Sequence, residues 1–172
     1  MIKSRASTVL EKQKTVFINR ILNLPLSLVW KAWSDPESFK KWWGPKGFMC
    51  PTSLIDFKTG GENFSSMKSA DGKEFWSIAN YKEIIPFKKI FYEECFVNYK
   101  GHEVPPSFYN LPGEWSDVNV TVTFEDLEGK TEMTLHQTGI PIEMYSDCME
   151  GWQSSLDKLE KNLSYPTTSS DN

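Results

Sequence analysis

Residues 29 to 48 read V-W-K-A-W-S-D-P-E-S-F-K-K-W-W-G-P-K-G-F, and they contain four of the seven tryptophans of the chain: Trp30, Trp33, Trp42 and Trp43. The first two lie three positions apart, which places them on one face of a helix. Pro36 ends that helix, because the residue before a proline is pushed out of the α region. The same proline suits the first turn of a second short helix through Phe39 to Trp43, and Gly44 ends it. The sequence therefore predicts two short helices that form an aromatic wall or lid.

Length and composition indicate a globular protein. A chain of 172 residues buries about 70% of its unfolded surface. Its residues are 39% hydrophobic and 14% aromatic, which suffices for a packed core or for the lining of a cavity. We expect one domain over residues 1–172, with its core in 15–163 and flexible ends at 1–13 and 164–172.

Charge and cysteine content limit the partners and the compartment. The net charge is −4 and the pI is near 5.3, which argues against nucleic acid, since phosphate binding needs clustered cations. No apolar run has the length of a signal peptide core or of a membrane span. Three widely spaced cysteines, Cys50, Cys95 and Cys148, are typical of reduced thiols. We therefore expect a cytoplasmic protein that binds neither nucleic acid nor membrane.

Seven segments have the composition of β-strands, with turn signals between them at hairpin spacing. They are residues 15–22, 50–57, 62–68, 74–84, 89–97, 117–124 and 131–138. Alternation is most regular from Val118 to Phe124, where every second residue is apolar. Such alternation predicts antiparallel strands with one covered face.

A long helix over residues 143–163 is the last predicted element. Its apolar residues fall at steps of three or four and form one stripe: Tyr145, Cys148, Met149, Trp152, Leu156, Leu159 and Leu163. The order of strand, two short helices, six strands and long helix predicts an α+β fold, with the helices on one face of an antiparallel sheet. Gly60-Gly61 is a candidate position for the bend or bulge that curls the sheet.

Five sequence blocks carry a resemblance to a known family. They are V-W-K-A-W-S-D-P-E-S-F-K-K-W-W-G-P at 29–45, D-F-K-T-G-G at 56–61, Y-K-E-I-I-P at 81–86, V-T-V-T-F-E-D-L-E-G-K-T-E-M-T-L at 120–135 and G-W-Q-S-S-L-D-K-L at 151–159. Over residues 15–163 the chain resembles the START-like or birch-pollen-allergen-like (SRPBCC) superfamily. Within it, the chain looks like the bacterial branch named after the activator of the heat-shock-protein-ninety ATPase. One departure is Ala79-Asn80, where relatives usually place glycine.

The resemblance implies a helix-grip fold: a seven-stranded curved antiparallel sheet, two short helices and a long C-terminal helix that enclose a hydrophobic cavity. The family name suggests a role in the stress response, but it does not fix the function. Most members resemble binding modules without known ligands, and a few superfamily members are enzymes or co-chaperones. Fold analogy alone is an associational argument for any of these.

Ten residues are candidates for the ligand-binding cavity: Trp30, Trp43, Phe48, Phe64, Trp76, Phe108, Trp115, His136, Met149 and Trp152. For the aromatic residues the alternative is ordinary packing, and the long loop 98–116 lies either at the cavity mouth or against the end of the sheet. His136 is either a polar ligand contact or a surface residue. Gly151 costs about 1 kcal/mol inside a helix relative to alanine, so we expect a close approach there to a strand or to the short helices.

No catalytic residue, metal site or cofactor is predicted. The two histidines lack the spacing of a metal site, and no phosphate-binding loop or nucleophile motif occurs. The first hypothesis is a non-enzymatic binding module for a small apolar molecule. A co-chaperone-like interaction domain, and an enzyme or sequestering resistance protein that uses the same cavity, stay open. A protein partner or a weak homodimer also stays open.

Overall fold

The computed structural model describes residues 12–163, so most of the two ends that the sequence predicts to be flexible lies outside the described residues. Lys12 and Gln13 are described, and both are held in place. The carbonyl of Lys12 accepts a hydrogen bond from the backbone N–H of Ile142 at 2.8 Å, and Gln13 forms an antiparallel bridge with Pro141. A loosely held N-terminal segment therefore does not extend to these two residues.

Residues 12–163 contain three α-helices: α1 (Leu26–Ser34), α2 (Pro36–Phe39) and α3 (Tyr145–Asn162). Asp35 separates the first two with an extended backbone, as the following proline requires, and its side chain accepts a hydrogen bond from the Ser38 N–H at 2.8 Å. The prediction that α2 continues to Trp43 is wrong. The N–H groups of Trp42 and Trp43 both bond to the carbonyl of Phe39 at 3.2 and 3.1 Å, so the chain tightens into turns after Phe39.

The described part of the chain contains eight strands: β1 (Val16–Leu22), β2 (Phe48–Met49), β3 (Ser53–Ile55), β4 (Glu62–Ser69), β5 (Glu74–Ile85), β6 (Lys89–Val97), β7 (Val118–Asp126) and β8 (Thr131–Thr138). Six of the seven predicted segments correspond to single strands. The segment predicted at 50–57 is too long, since only β3 lies within it, and the short strand β2 precedes it. Pro51 lies between them, and a proline has no N–H to donate to a ladder.

The strands form one antiparallel sheet in the order β1-β8-β7-β6-β5-β4-β2, with β3 also paired to β4. The first and last strands are neighbours, with Val16 opposite Gln137. The sheet curls around α3, and the two short helices close one end. The predicted α+β helix-grip fold is therefore confirmed.

The bulge that helps the sheet to curl lies in β5, between Tyr81 and Glu83. The predicted position at Gly60-Gly61 is a tight turn beside it, where the Gly60 N–H donates to the carbonyl of Tyr81 at 2.8 Å. A side chain on Gly61 would collide with the carbonyl of Asp56. The glycine pair therefore brings the chain close to β5, while the irregularity falls on β5 itself.

Helix α3 is fixed against the concave face of the sheet by apolar packing and by one charged cluster. Leu156 and Leu159 are fully buried. Arg20 occupies an inward position near the end of β1, and its guanidinium lies 2.6 Å from an oxygen of Asp157 and 2.7 Å from an oxygen of Glu160. The C-terminal half of the helix is thus held tightly, and the space under its N-terminal half is available for a pocket.

Candidate functional site

A pocket of about 260 Å³ lies between the concave face of the sheet and the N-terminal half of α3. Strands β4 to β8 form its floor, and α3 forms its roof. The turns after α2 and the long loop before β7 form the remaining walls. The volume is close to the lower end of the range of about 300–1,000 Å³ that is usual for small-molecule sites.

Six aromatic side chains line this pocket: Trp43, Phe48, Phe75, Phe96, Trp115 and Trp152. Two pairs of these rings meet edge to face, an arrangement that aromatic pairs prefer. The centroids of Trp43 and Trp152 are 5.4 Å apart, and those of Phe96 and Trp115 are 5.5 Å apart. The aromatic walls therefore support one another across different elements of the fold.

Trp152 is oriented by a hydrogen bond as well as by packing. Its indole N–H donates to the Oε1 of Gln137 at 2.9 Å, and only 7% of the residue is exposed. Gln137 occupies an inward position on β8, after the buried residues Met133 and Leu135. Because an indole has a single donor, this bond satisfies it and leaves the ring free to serve as an apolar wall.

Glu94 is the acidic side chain of the pocket floor. It follows the buried residues Ile90 and Tyr92 at the same alternation on β6, so it points to the concave face, where an apolar residue is expected. Burial raises the pKa of Glu94 to about 7, and interaction with the Ser77 side chain opposes this shift only in part. The carboxyl group therefore titrates near neutral pH.

A small recess of about 10 Å³ lies behind Glu94, and the polar side chains of Asn63, Ser65 and Ser77 line it. The rings of Trp33 and Trp43 also line the recess. Their indole N–H groups have no hydrogen-bond partner within residues 12–163. The inner end of the pocket is therefore polar, while its walls are apolar.

The thiol that lines the pocket is unreactive. Burial, helped by the charges of Glu94 and Asp147, raises the pKa of Cys148 to about 12. Since the thiolate is the nucleophilic form, Cys148 acts at neutral pH as a small apolar group. Asp147 is exposed and lies where the pocket opens to solvent.

Four of the ten residues predicted for the cavity lie on this pocket: Trp43, Phe48, Trp115 and Trp152. The long loop before β7 contributes Trp115 and Leu111, which places part of it at the pocket. Whether these residues bind a ligand stays a prediction.

Three predicted residues lie in other parts of the molecule, two of them in or against the core and one at the surface. Trp30 belongs to the core at the opposite end of the sheet, where its ring lies 5.4 Å from that of Phe57 and 5.6 Å from that of Phe124. Met149 packs against the core beside the pocket. Phe108, in the short 3-10 helix Pro106–Tyr109, is 57% exposed.

Three others lie on the convex face of the sheet, because strand residues alternate between faces. The rings of Phe64 and Trp76 stack there with centroids 5.0 Å apart, and His136 contacts Phe17 at 4.8 Å. The placement of all three on the cavity wall was wrong by one position in each strand. Their neighbours Ser65, Phe75 and Gln137 occupy the inward positions.

Comparison with known proteins identifies the family. The sequence pattern of the family described as activator of Hsp90 ATPase homolog 1-like protein matches residues 23–164. The chain belongs to this family. It is the bacterial branch of the SRPBCC superfamily that the resemblance in the sequence indicated. No curated protein matches the sequence significantly.

Solved structures of bacterial proteins share the fold. A protein from Chromobacterium violaceum is 26% identical, with a TM-score of 0.72 over 89% of this chain and 99% of that one. A protein from Arthrobacter aurescens is 21% identical, with a TM-score of 0.73 over 100% and 98%. An AHSA1 protein from Silicibacter pomeroyi is 20% identical, with a TM-score of 0.68 over 87% and 97%.

Glu94, Gln137, Phe75 and Phe96 are among the pocket residues that are absent from the ten candidates. A signal for Glu94 exists in F-Y-E-E-C-F, since one of two adjacent glutamates on an alternating strand has to face inward. Within residues 12–163, no group of three or more metal-ligating side chains comes together. None of the described helices is long and apolar enough to cross a bilayer.

Proposed function

We propose that this member of the family is a non-enzymatic binding module for a small, largely apolar molecule. The observation that carries the proposal is the pocket of about 260 Å³ between the sheet and α3, with its six aromatic side chains. Apolar walls with a few polar groups at one end are typical of small-molecule sites. The ligand lies against Trp43, Trp115 and Trp152, and its polar end reaches Glu94.

The polar groups of the pocket favour binding over chemistry. Cys148 is a neutral thiol, because its pKa is raised to about 12, and burial also raises the pKa of Tyr81 and Tyr92 well above the usual value for tyrosine. Glu94 is a candidate general base by its pKa alone. No ionised nucleophile accompanies it among the described lining residues, because the Cys148 thiol stays neutral.

A neutral apolar fluorescent probe, N-phenyl-1-naphthylamine, tests the proposal. We expect saturable binding to the native protein at pH 7, with one probe per chain. The titration is made well below the unfolding midpoint, because loosened states also bind such dyes.

A pocket-filling variant provides the structural control. A Cβ placed on Gly151 meets only the Cβ of Pro45, at 3.8 Å, so Gly151→Leu fits on α3 and extends into the pocket. We expect this variant to weaken probe binding at least tenfold, whereas Ser146→Leu, at an exposed position of the same helix, does not. Equal binding by both variants, or no saturable binding to the wild type, would contradict the proposal.

A further inference from the structure

We propose that the ligand is a lipophilic cation, an organic molecule with an apolar body and an ammonium group, and that Glu94 is its counter-ion. This inference rests on the proposed function and specifies the ligand class of the same pocket. Two properties of the pocket carry it. The first is the set of aromatic side chains that line the space, and the second is the sign of the charges that line it.

The aromatic lining suits a cation better than it suits an anion. Ring faces carry the negative part of the aromatic quadrupole and attract a cation within about 6 Å of the ring centroid, most strongly for tryptophan. Trp43, Trp115 and Trp152 all line the pocket, together with Phe75 and Phe96. In a space of about 260 Å³, an ammonium group beside Glu94 lies close to several of these rings.

All charged side chains of the described pocket lining are acidic. Glu94 from β6 lies on the floor and Asp147 from α3 lies at the opening, and no lysine or arginine of residues 12–163 lines the pocket or the inner recess. The Nζ of Lys158 donates instead to the carbonyls of Pro45 and Phe48, at 3.5 and 3.2 Å. An anionic ligand would meet repulsion from both carboxylates without a compensating cation. A cationic ligand gains a counter-ion in a place where water is largely excluded, and the attraction between charges is stronger there than at the surface.

Glu94 is also the group that makes cation binding depend on pH. The other titratable groups that face it are Tyr81 on β5, Tyr92 on β6, and Cys148 and Asp147 on α3. Burial holds the two phenols and the thiol in their neutral forms through neutral pH. The pKa of Glu94 itself is about 7, so its carboxyl is mostly protonated at pH 6 and mostly ionised at pH 8.

The sign of the pH effect follows from this titration. A cation binds the ionised form of Glu94, so its affinity is close to its full value at pH 8, about half of it at pH 7, and falls further as the pH drops. With one proton and a pKa of about 7, the affinity at pH 6 is about tenfold lower than at pH 8. A neutral ligand of the same shape has no such dependence.

A matched pair of probes tests the proposal: benzyltrimethylammonium, whose charge does not titrate, and its neutral carbon isostere neopentylbenzene. Binding is measured through the tryptophan fluorescence of the native protein at pH 6 and pH 8. We expect the cation to bind about tenfold more tightly at pH 8 than at pH 6, and the isostere to bind equally at both. We also expect Glu94→Gln to weaken cation binding at pH 8 at least tenfold and to leave the isostere unaffected.

Glu93→Gln is the control for charge alone, since Glu93 is the neighbour of Glu94 on β6 but faces solvent beside Lys82, and it changes cation affinity less than threefold. If the isostere binds but the cation binds no better at pH 8, or if Glu94→Gln leaves cation affinity unchanged, the ligand class is wrong and the proposed function stands. If neither probe binds, both proposals fail. The comparison of the two probes on the wild type needs no variant, so a misfolded Glu94→Gln protein would not prevent the test.

Discussion

Glu94 is the residue whose environment most affects both stability and binding. An acidic side chain on the concave face of a sheet is disfavoured, because burial penalises its charged form. The raised pKa of about 7 is the direct sign of that penalty. In the folded protein the carboxyl holds its proton up to pH 7, whereas in the unfolded chain it loses the proton near its ordinary pKa of 4.5.

The first prediction concerns the stability of Glu94→Gln as a function of pH. Since the folded state holds the proton more tightly, the wild type loses stability as the pH rises from about 4.5 through about 7. Glutamine removes this loss. We expect Glu94→Gln to be more stable than the wild type at pH 8 by about 2–3 kcal/mol, and to match it at pH 4.5. Urea unfolding at the two pH values measures the difference.

Glu93 provides the matched control for this prediction. It is the adjacent residue on β6 but faces solvent, where its carboxylate lies 3.1 Å from the Nζ of Lys82. Glu93→Gln should change stability by less than about 0.5 kcal/mol at either pH, because exposed ion pairs contribute little. A Glu94→Gln protein less stable than the wild type at pH 8 would show that the carboxylate is stabilised in the folded state.

Among the elements, α3 is held to β1 by the Arg20 cluster in its C-terminal half and covers the pocket with its N-terminal half. The sequence predicts a close approach at Gly151, but a Cβ there would meet only the Cβ of Pro45, at the ordinary contact distance of 3.8 Å. The glycine is therefore not required by packing. Since Gly151 lines the pocket, its missing side chain leaves space for a ligand, and the helix is less stable for it.

The second prediction is that Gly151→Ala stabilises the protein by about 0.5–1 kcal/mol, because alanine is the better helix former and the methyl group fits. The affinity for a large apolar probe should fall at the same time. Thermal unfolding and probe titration measure the two effects. Gly139→Ala is the contrasting variant: Gly139 has a φ of 85°, and a methyl group there would collide with the carbonyl of Asp117, so it should be strongly destabilised. Loss of stability in Gly151→Ala would indicate a packing requirement at that position.

The charged cluster of Arg20 holds the other half of α3 on β1. Its guanidinium donates to Asp157, Glu160 and the side chain of Gln153, and it is only partly exposed. Several charge-assisted hydrogen bonds to one group contribute more than an isolated surface pair. The cluster also joins the first strand to the last helix, which are far apart in the sequence.

The third prediction is that Arg20→Met lowers the free energy of unfolding by about 2 kcal/mol, because it leaves the two carboxylates of α3 next to each other without a cation. Urea unfolding measures it. Lys82→Met removes one exposed ion pair with Glu93 and should change stability by less than about 0.5 kcal/mol. Equal effects of the two substitutions would mean that the Arg20 cluster is no stronger than a surface pair.

For the molecule as a whole, hydrophobic patterns of period two in strands and of three to four in helices predict the fold. The pocket depends on which residues of each strand face inward. The alternation from Val118 to Phe124 and the stripe on α3 both survive in the structure, because burial of one face determines them. Whether Trp76 or Phe75 faces inward depends on the register of β5, and short runs with rings at adjacent positions do not reveal it. On β8 the alternation itself places His136 on the face opposite Met133 and Leu135, and Gln137 on their face.

Aromatic content alone also cannot separate a core from a pocket. Trp30 and Trp152 are both nearly buried, yet Trp30 fills the closed end of the sheet and Trp152 lines the open space. The difference arises from where α3 and the short helices meet the sheet, which is a long-range property. The charge on the pocket floor likewise becomes visible only when the inward face of β6 is known.

The central claim is that a small molecule binds between the sheet and α3, and the indole N–H signals of the tryptophans test it most directly. Trp43, Trp115 and Trp152 line the pocket, whereas Trp30 lies in the core at the other end and Trp76 lies on the convex face. We record ¹H–¹⁵N spectra during a titration with neutral N-phenyl-1-naphthylamine. We expect saturable shifts of the indole signals of Trp43, Trp115 and Trp152, and none for those of Trp30 and Trp76. Shifts centred on Trp76, or no saturable shift of Trp43, Trp115 and Trp152, would contradict it.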